Sequence, residues 1–299
     1  MIKCGVVAII GKPNAGKSTL INAIIGEKVS IVSPKAQTTR NNILGILNEK
    51  DYQIVFIDTP GVNSVTTKLD SFMQDSIKGA IADVDAIVVC IDASKDINKN
   101  DFDFVERQAK LNIPIVVVLT KIDLLNNEQI LKKLASFSGR EYIKDIIPLS
   151  SKKEMNIDEL IKVLLKFMPE SEDDVKYFED DLYTDRPLRF FIAEIIREKA
   201  LYLLDKEIPH GIAVAIKKYE ETENIAEIDA EIICEKQSHK QIIIGKGGEM
   251  LKKIGHLARV SFQKVAQKKV YLNLFVKVKE NWKNSPSYLN EIGYDGSEI

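Results

Sequence analysis

GKPNAGKS, residues 11–18, decides how the rest of the chain is read. The apolar run before it, residues 6–10, reads as a buried strand; residues 19–25 after it read as a short helix that Gly26 stops. Strand, glycine loop and helix in that order can wrap a string of phosphates. Backbone N–H groups turn inward only where glycine lets the chain curl, and the helix start beside them is partly positive. Gly11 and Gly16 supply the curl, Lys12, Pro13, Asn14 and Ala15 lie between them, and Thr19 follows in the helix. Lys17 can reach the phosphates as a point charge, and the Ser18 hydroxyl can ligate a Mg²⁺ that bridges them.

A chain of 299 residues has room for about two domains, each with its own core. With 45% hydrophobic and 29% charged residues it is an ordinary globular composition. No apolar run approaches the roughly 20 residues that span a bilayer, and the N-terminus lacks a signal-peptide pattern, so the cytoplasm is the expected location. Cys4, Cys90 and Cys234 sit far apart within apolar runs and read as buried thiols. His210, His239 and His256 are too scattered for a metal set. The net charge of −2 hides an asymmetry: residues 170–185 hold eight acidic residues and one basic, while residues 236–283 hold twelve Lys or Arg against two Glu. One end of the molecule should attract polyanions.

Residues 30–42 are polar and irregular; 43–47 and 52–57 then read as a hairpin. The second of these strands delivers Asp58, Thr59, Pro60 and Gly61, followed by Val62. An aspartate at a strand tip can hold Mg²⁺, and the Gly61 N–H can sense a terminal phosphate. Two further apolar strands, 86–92 and 114–119, alternate with helices, which implies a parallel sheet covered on both faces and a ligand at the carboxyl ends of its strands. Thr120, Lys121, Ile122 and Asp123 stand at one such end. A carboxylate there can accept two hydrogen bonds from guanine, whereas adenine would leave it unpaired. Ser150, Ser151 and Lys152, after a strand at 142–149, could touch the guanine oxygen through their backbone; a helix at 156–168 closes the domain.

Residues 169–187 are acidic and read as a solvated linker, or else as an acidic cover for the basic region beyond. A helix at 190–204, strands at 212–219 and 225–234, a helix around QIIIGKGG (241–248), a long helix at 250–267 and a strand at 269–279 follow. Gly245, Lys246, Gly247 and Gly248 resemble the GxxG loop of a KH domain, of type II by this order. Glycines would let a nucleic-acid backbone approach while Lys246 meets a phosphate. Ile242 and Ile243 would line an apolar groove, and Lys252, Lys253, Arg259 and Lys264 would share a basic helix face.

Four loops at four strand ends, in this order, resemble the GTP-binding domain of the translation-factor class of GTPases. Within that class GKPNAGKS, QTTRNNILGI (37–46) and DTPG (58–61) resemble the Era family, as does WKNSPSYLNEIGY (282–294) near the end. The resemblance implies an α/β, doubly wound, mostly parallel P-loop GTPase sheet over 1–168, a linker over 169–187, a smaller α+β type II KH domain over 188–284 and a tail over 285–299. It implies GTP and GDP as ligands with Mg²⁺ on Ser18, Asp58 and Thr38 or Thr39, of which Thr39 is the one expected. It further implies a K⁺ ion beside Asn14, and catalysis through Lys17, Thr39, Gly61 and Asn14. As a partner it implies the 3′ end of small-subunit ribosomal RNA, bound by a monomer that matures the small ribosomal subunit. Thr120 and Ser151 depart from the family pattern, which has asparagine and alanine there. Val62 has no group to orient water, so slow hydrolysis is expected. Two other readings stay open: a kinase or RNA-modifying enzyme, and a switch held peripherally on the inner face of the membrane by its basic surface.

Overall fold

Strands that are apolar on both sides need cover on both sides, and the first half of the chain supplies it by alternating strands with helices. The computed structural model describes residues 1–35, 37–61, 65–205, 208 and 211–294. In chain order the elements are β1 (Lys3–Gly11), α1 (Lys17–Ile25), β2 (Ile43–Asn48), β3 (Tyr52–Asp58), α2 (Lys68–Ala82), β4 (Ala86–Asp92), α3 (Lys99–Ala109), β5 (Ile115–Thr120), α4 (Asn127–Phe137), β6 (Ile143–Pro148) and α5 (Ile157–Leu164). The strand order is β2-β3-β1-β4-β5-β6, and only the β2/β3 hairpin is antiparallel. Val7, Ile9, Ile54 and Phe56 pack on one side against α1 and α5, while Ala8, Ile10, Val89 and Val117 pack on the other against α2, α3 and α4. Helices α2, α3 and α4 each begin with a capping box, Thr67 with Asp70, Asn98 with Asp101 and Asn126 with Gln129. The loops that follow β1, β3, β5 and β6 therefore lie side by side at one end of the sheet.

The second unit runs α6 (Leu188–Leu203), β7 (Ile212–Glu221), β8 (Ile225–Cys234), α7 (Gln237–Ile244), α8 (Glu249–Ala266) and β9 (Lys269–Val278), with a short α9 (Pro286–Glu291) after it. Its sheet is β7-β8-β9, with β7/β8 antiparallel and β8/β9 parallel, the order of a type II KH domain. Ile254, Ala258 and Phe262 face its core from α8 at helical spacing.

Residues 169–187 depart from the expected loose linker. The backbone of Phe178 exchanges two hydrogen bonds with the Gln53 side chain, at 2.8 and 3.0 Å, and the Ile46 N–H donates to the Tyr183 carbonyl at 2.9 Å. Asn48 donates to the carbonyls of Glu179 and Leu182, and Arg186 to that of Asn42 at 2.6 Å. The segment is a strap along the free edge of β2. Unpaired backbone groups on an edge strand need partners, and that demand outweighs the solubility of the acidic side chains, which stay on the outer side.

Candidate functional site

Around Asp58, three hydroxyls converge on one carboxylate oxygen. Ser18 Oγ and Ser30 Oγ donate to Asp58 Oδ2 at 2.7 and 2.8 Å, Thr39 Oγ1 lies at 3.3 Å from the same atom, and Ser18 and Thr39 are 2.8 Å apart. Asp58 Oδ1 is buried without a hydrogen-bond partner. Burial drives the Asp58 pKa up against the pull of Lys17 and the hydroxyls, and burial drives that of Lys17 down against the pull of Asp58. Hydroxyl and carboxylate oxygens gathered at a buried, electrically unsatisfied point are a donor set that suits a hard divalent cation. Thr38 is elsewhere, its hydroxyl donating to Lys35 O at 2.7 Å, so Thr39 is the threonine at this point. Lys17 Nζ donates back to Gly11 O at 3.0 Å. A Cβ on Gly61 would lie 2.9 Å from Pro13 Cα and 3.1 Å from Lys17 Nζ, so only glycine fits where the loop after β3 crosses the first glycine loop. Asn14 Nδ2 donates to Pro34 O at 2.9 Å. Pro13, Asn14, Gly16, Lys17, Ser18, Thr19, Thr39, Gly61 and Lys121 line one cleft. The Lys12 side chain turns away to Asp101 at 2.6 Å, and the Thr59 hydroxyl is held by Ile9 O. Val62 lies outside the described residues.

Beside this cleft stand the loops after β5 and β6. Ser150 Oγ donates to Asp123 Oδ1 at 2.6 Å, which orients that carboxylate. Lys121 Nζ donates to Asn14 O at 2.8 Å and to Asp92 Oδ2 at 2.7 Å. Burial alone would raise the Asp92 pKa, but Lys121 and Ser94 outweigh it and hold the group below the ordinary carboxylate range. Asp92 escaped the sequence reading because a lone aspartate after an apolar strand has no motif around it. Thr120, in place of the family's asparagine, donates to Ala15 O at 2.8 Å, so its hydroxyl ties the base loop to the phosphate loop. Ile122 is buried core, and Ser151 and Lys152 form a short turn behind Asp123.

A second concavity, 480 Å³, lies on the KH unit between α8 and β9. Gly248, Leu251, Lys252, Gly255, His256 and Arg259 line it from the helix and residues 270–274 from the strand. Ile243, expected on an apolar groove wall, is instead fully buried in the core, while Ile242 is exposed and lies outside this concavity. Lys253 and Lys264 are exposed but lie a quarter to a third of a turn around α8, off the groove. The spacing 248, 252, 255, 256, 259 was the signal that could have found this concavity. Gly245, Gly247 and Gly248 all have left-handed backbone, and nothing lies within 4 Å of where a Cβ on Gly247 or Gly248 would sit, which leaves the main chain beside Lys246 open to a ligand.

The family described as "50S ribosome-binding GTPase" matches residues 6–121, and the KH domain family matches residues 207–283. GTPase Era of Clostridium kluyveri is 46% identical over 295 residues, 98% of this chain and 100% of that one, and GTPase Era of Clostridium acetobutylicum is 46% identical over 98% of each. The chain belongs to the Era family of GTPases. Two solved Era structures, one in complex with MgGDPNP and nucleotides 1506–1542 of 16S ribosomal RNA, the other an Aquifex aeolicus Era variant bound to GDP.AlF4⁻, superpose with TM-scores of 0.93 at 40% identity, covering 98% of this chain and 99% of each.

In this Era-family chain the two units meet on residues 28–42. Arg197 of α6, 1% exposed, is gripped by Glu194 and donates to Thr38 O, one residue from the threonine beside Asp58. Arg40, 2% exposed, donates to Ile212 O at 2.7 Å and lies over the Trp282 ring. Glu198 accepts from Lys28 at 2.7 Å and from the Val32 N–H, and Asn41 donates to Gly293 O. Leu69 and Met73 of α2 pack with Trp282, Tyr288, Leu289 and Tyr294. None of these partners was foreseen, since charged residues on a helix ordinarily read as its solvated face.

Proposed function

We propose that this protein is a GTP-binding, slowly GTP-hydrolysing switch that binds single-stranded RNA at the 3′ end of small-subunit ribosomal RNA and acts in the cytoplasm in assembly of the small ribosomal subunit. The observation that carries the reading is the run from Thr38 to Arg40. Its Thr39 hydroxyl touches Ser18 and Asp58, while Thr38 O and the Arg40 side chain are held by the KH unit. Whatever rearranges that run on one side is felt on the other.

Asp123, oriented by Ser150, accepts the guanine N1–H and exocyclic amine, with the Lys121 stem along the base and the backbone at Ser151 and Lys152 toward its oxygen. The N–H groups of residues 11–19 wrap the phosphates. Lys17, whose ammonium donates to the carbonyls of Gly11 and Lys12 in its present pose, turns to the phosphate oxygens, and the Gly61 N–H reads the terminal one. Ser18, Thr39 and Asp58 would hold Mg²⁺, which supplies charge neutralisation on the phosphates. The amide oxygen of Asn14 is the atom that a K⁺ ion would recruit. With no water-orienting side chain at Val62, hydrolysis stays slow until a partner or cation stabilises the leaving charge. RNA lies in the α8/β9 groove, its phosphates at Lys246, Lys252 and Arg259 and its bases over Leu251, Leu272 and Leu274.

Calorimetry with GDP, GTP and ATP and filter binding with an oligonucleotide of the 16S 3′ end test this. Guanosine nucleotides should bind with magnesium while ATP gives no heat, and the oligonucleotide should outcompete an unrelated strand. Preference for ATP, or equal retention by anionic vesicles and RNA at one salt concentration, would overturn it.

A further inference from the structure

On the face of the first sheet that carries α2, the helix stops at Ala82 before it can cover β2 and the near ends of β3 and β1. Leu44, Val55, Ile57 and Val6 floor the space left open, Ala80 and Val84 wall it on one side, and the strap at 177–187 walls it on the other with Phe178 and Pro187. The resulting cavity measures 810 Å³, within the roughly 300–1,000 Å³ of small-molecule sites. It is separate from the nucleotide cleft and from the α8/β9 groove.

Carboxylates dominate its polar groups, with the Tyr177 hydroxyl, the Asn42 amide and Arg186 beside them, and Asp85 accepts from the Val6 N–H at 2.8 Å. Asp83, Asp85 and Asp185 stand around it. Asn42, 7% exposed, is part of the wall; its Nδ2 donates to Ser76 O at 2.8 Å, while its buried Oδ1 has no partner. Among the described residues of the wall the one cation is Arg186, which donates to Asn42 O, pairs with Asp185 at 3.8 Å and lies over the Phe190 ring at 5.3 Å, so two of the three carboxylates carry no cation. Carboxylates around an apolar floor favour positive charge.

We propose that this cavity is a binding site for a small hydrophobic amine: an apolar body on the floor of Leu44, Val55 and Ile57, and an ammonium group whose N–H donors meet Asp83 and Asp185. Three matched probes test it on the full-length, GDP-loaded protein by calorimetry and ligand-observed NMR: naphthylethylamine, neutral naphthylethanol and anionic naphthylacetate. The amine should bind with one-to-one stoichiometry and at least about tenfold more tightly than the acid, with the alcohol between them. Asp83→Lys, on an exposed side chain at the end of α2, should weaken the amine about fivefold or more while GDP affinity and thermal midpoint stay unchanged. Leu44→Trp, which fills the floor, should remove binding of all three probes. Affinities equal within about twofold across the probes, no saturable binding of the amine up to about 5 mM, or amine binding that survives Asp83→Lys undiminished would overturn the proposal, and none of these depends on Leu44→Trp folding.

Discussion

The nucleotide loops and the junction between the two units are both buried polar networks, yet they are built on opposite plans. Around Asp58 and Asp123 the groups sit within short motifs, and each loop finds its partners in another loop at the same end of one sheet. At the junction, Arg40, the adjacent pair Arg197 and Glu198, and Trp282 come from three distant places, and the bonds from Arg197 to Thr38, from Lys28 to Glu198 and from Arg40 to Ile212 each span more than 150 residues. A site that serves chemistry repeats a local pattern because a phosphate imposes the same geometry wherever it is bound. A junction answers only to the surface opposite it. The first plan should concentrate loss of function in single residues, the second should spread it as stability and coupling.

The largest effect should fall on the first plan. Asp123→Asn should cost guanosine nucleotides roughly 10⁴-fold in affinity and transfer the preference to xanthosine nucleotides, read by calorimetry with both diphosphates. An unchanged preference would remove Asp123 from base recognition. On the second plan, Trp282→Ala should lower unfolding free energy by about 3–5 kcal/mol in denaturant titration while GDP affinity holds, because it empties a fully buried site that nucleotide does not touch.

A smaller effect comes from acid. Burial disfavours the Glu198 carboxylate, but Lys199 and Lys28 outweigh it and hold its pKa below the ordinary 4.5. The folded state binds the proton less readily than the unfolded chain does, so the stabilisation is complete above pH 4.5 and is lost as pH falls through the lower folded value. Trp282 is the one tryptophan in the chain and sits in the junction, so its fluorescence should shift in that acid window. Glu198→Gln should flatten the shift. Least of all, Lys252→Ala should reduce the salt slope of RNA binding by about one unit and Lys264→Ala should leave it alone, which separates groove lysines from merely exposed ones.

Most of the fold was legible because its signals are local. The continuous apolar runs of β4 and β5 fixed a covered parallel sheet, and the alternation of Ile228, Ala230, Ile232 and Cys234 marked a half-buried strand. The nucleotide loops were legible for the same reason. The α8/β9 groove was legible only in part. GxxG located its end, but apolar Ile243 was assigned to the wall when its position on α7 turns it into the core. The strap at 169–187 was misread because composition reports side chains, while its backbone is what pairs with β2 and Gln53. The junction left almost no trace, since a buried arginine and an exposed one look alike in sequence.

If the run from Thr38 to Arg40 joins the two plans, nucleotide and RNA must be linked through it. The affinity of the 16S 3′-end oligonucleotide, measured at one salt concentration with a non-hydrolysable GTP analogue and with GDP, should differ by a factor within about 5–150, and Arg197→Ala should bring the two values together. Equal affinities in the unaltered protein would mean that the two units share a surface without sharing a switch.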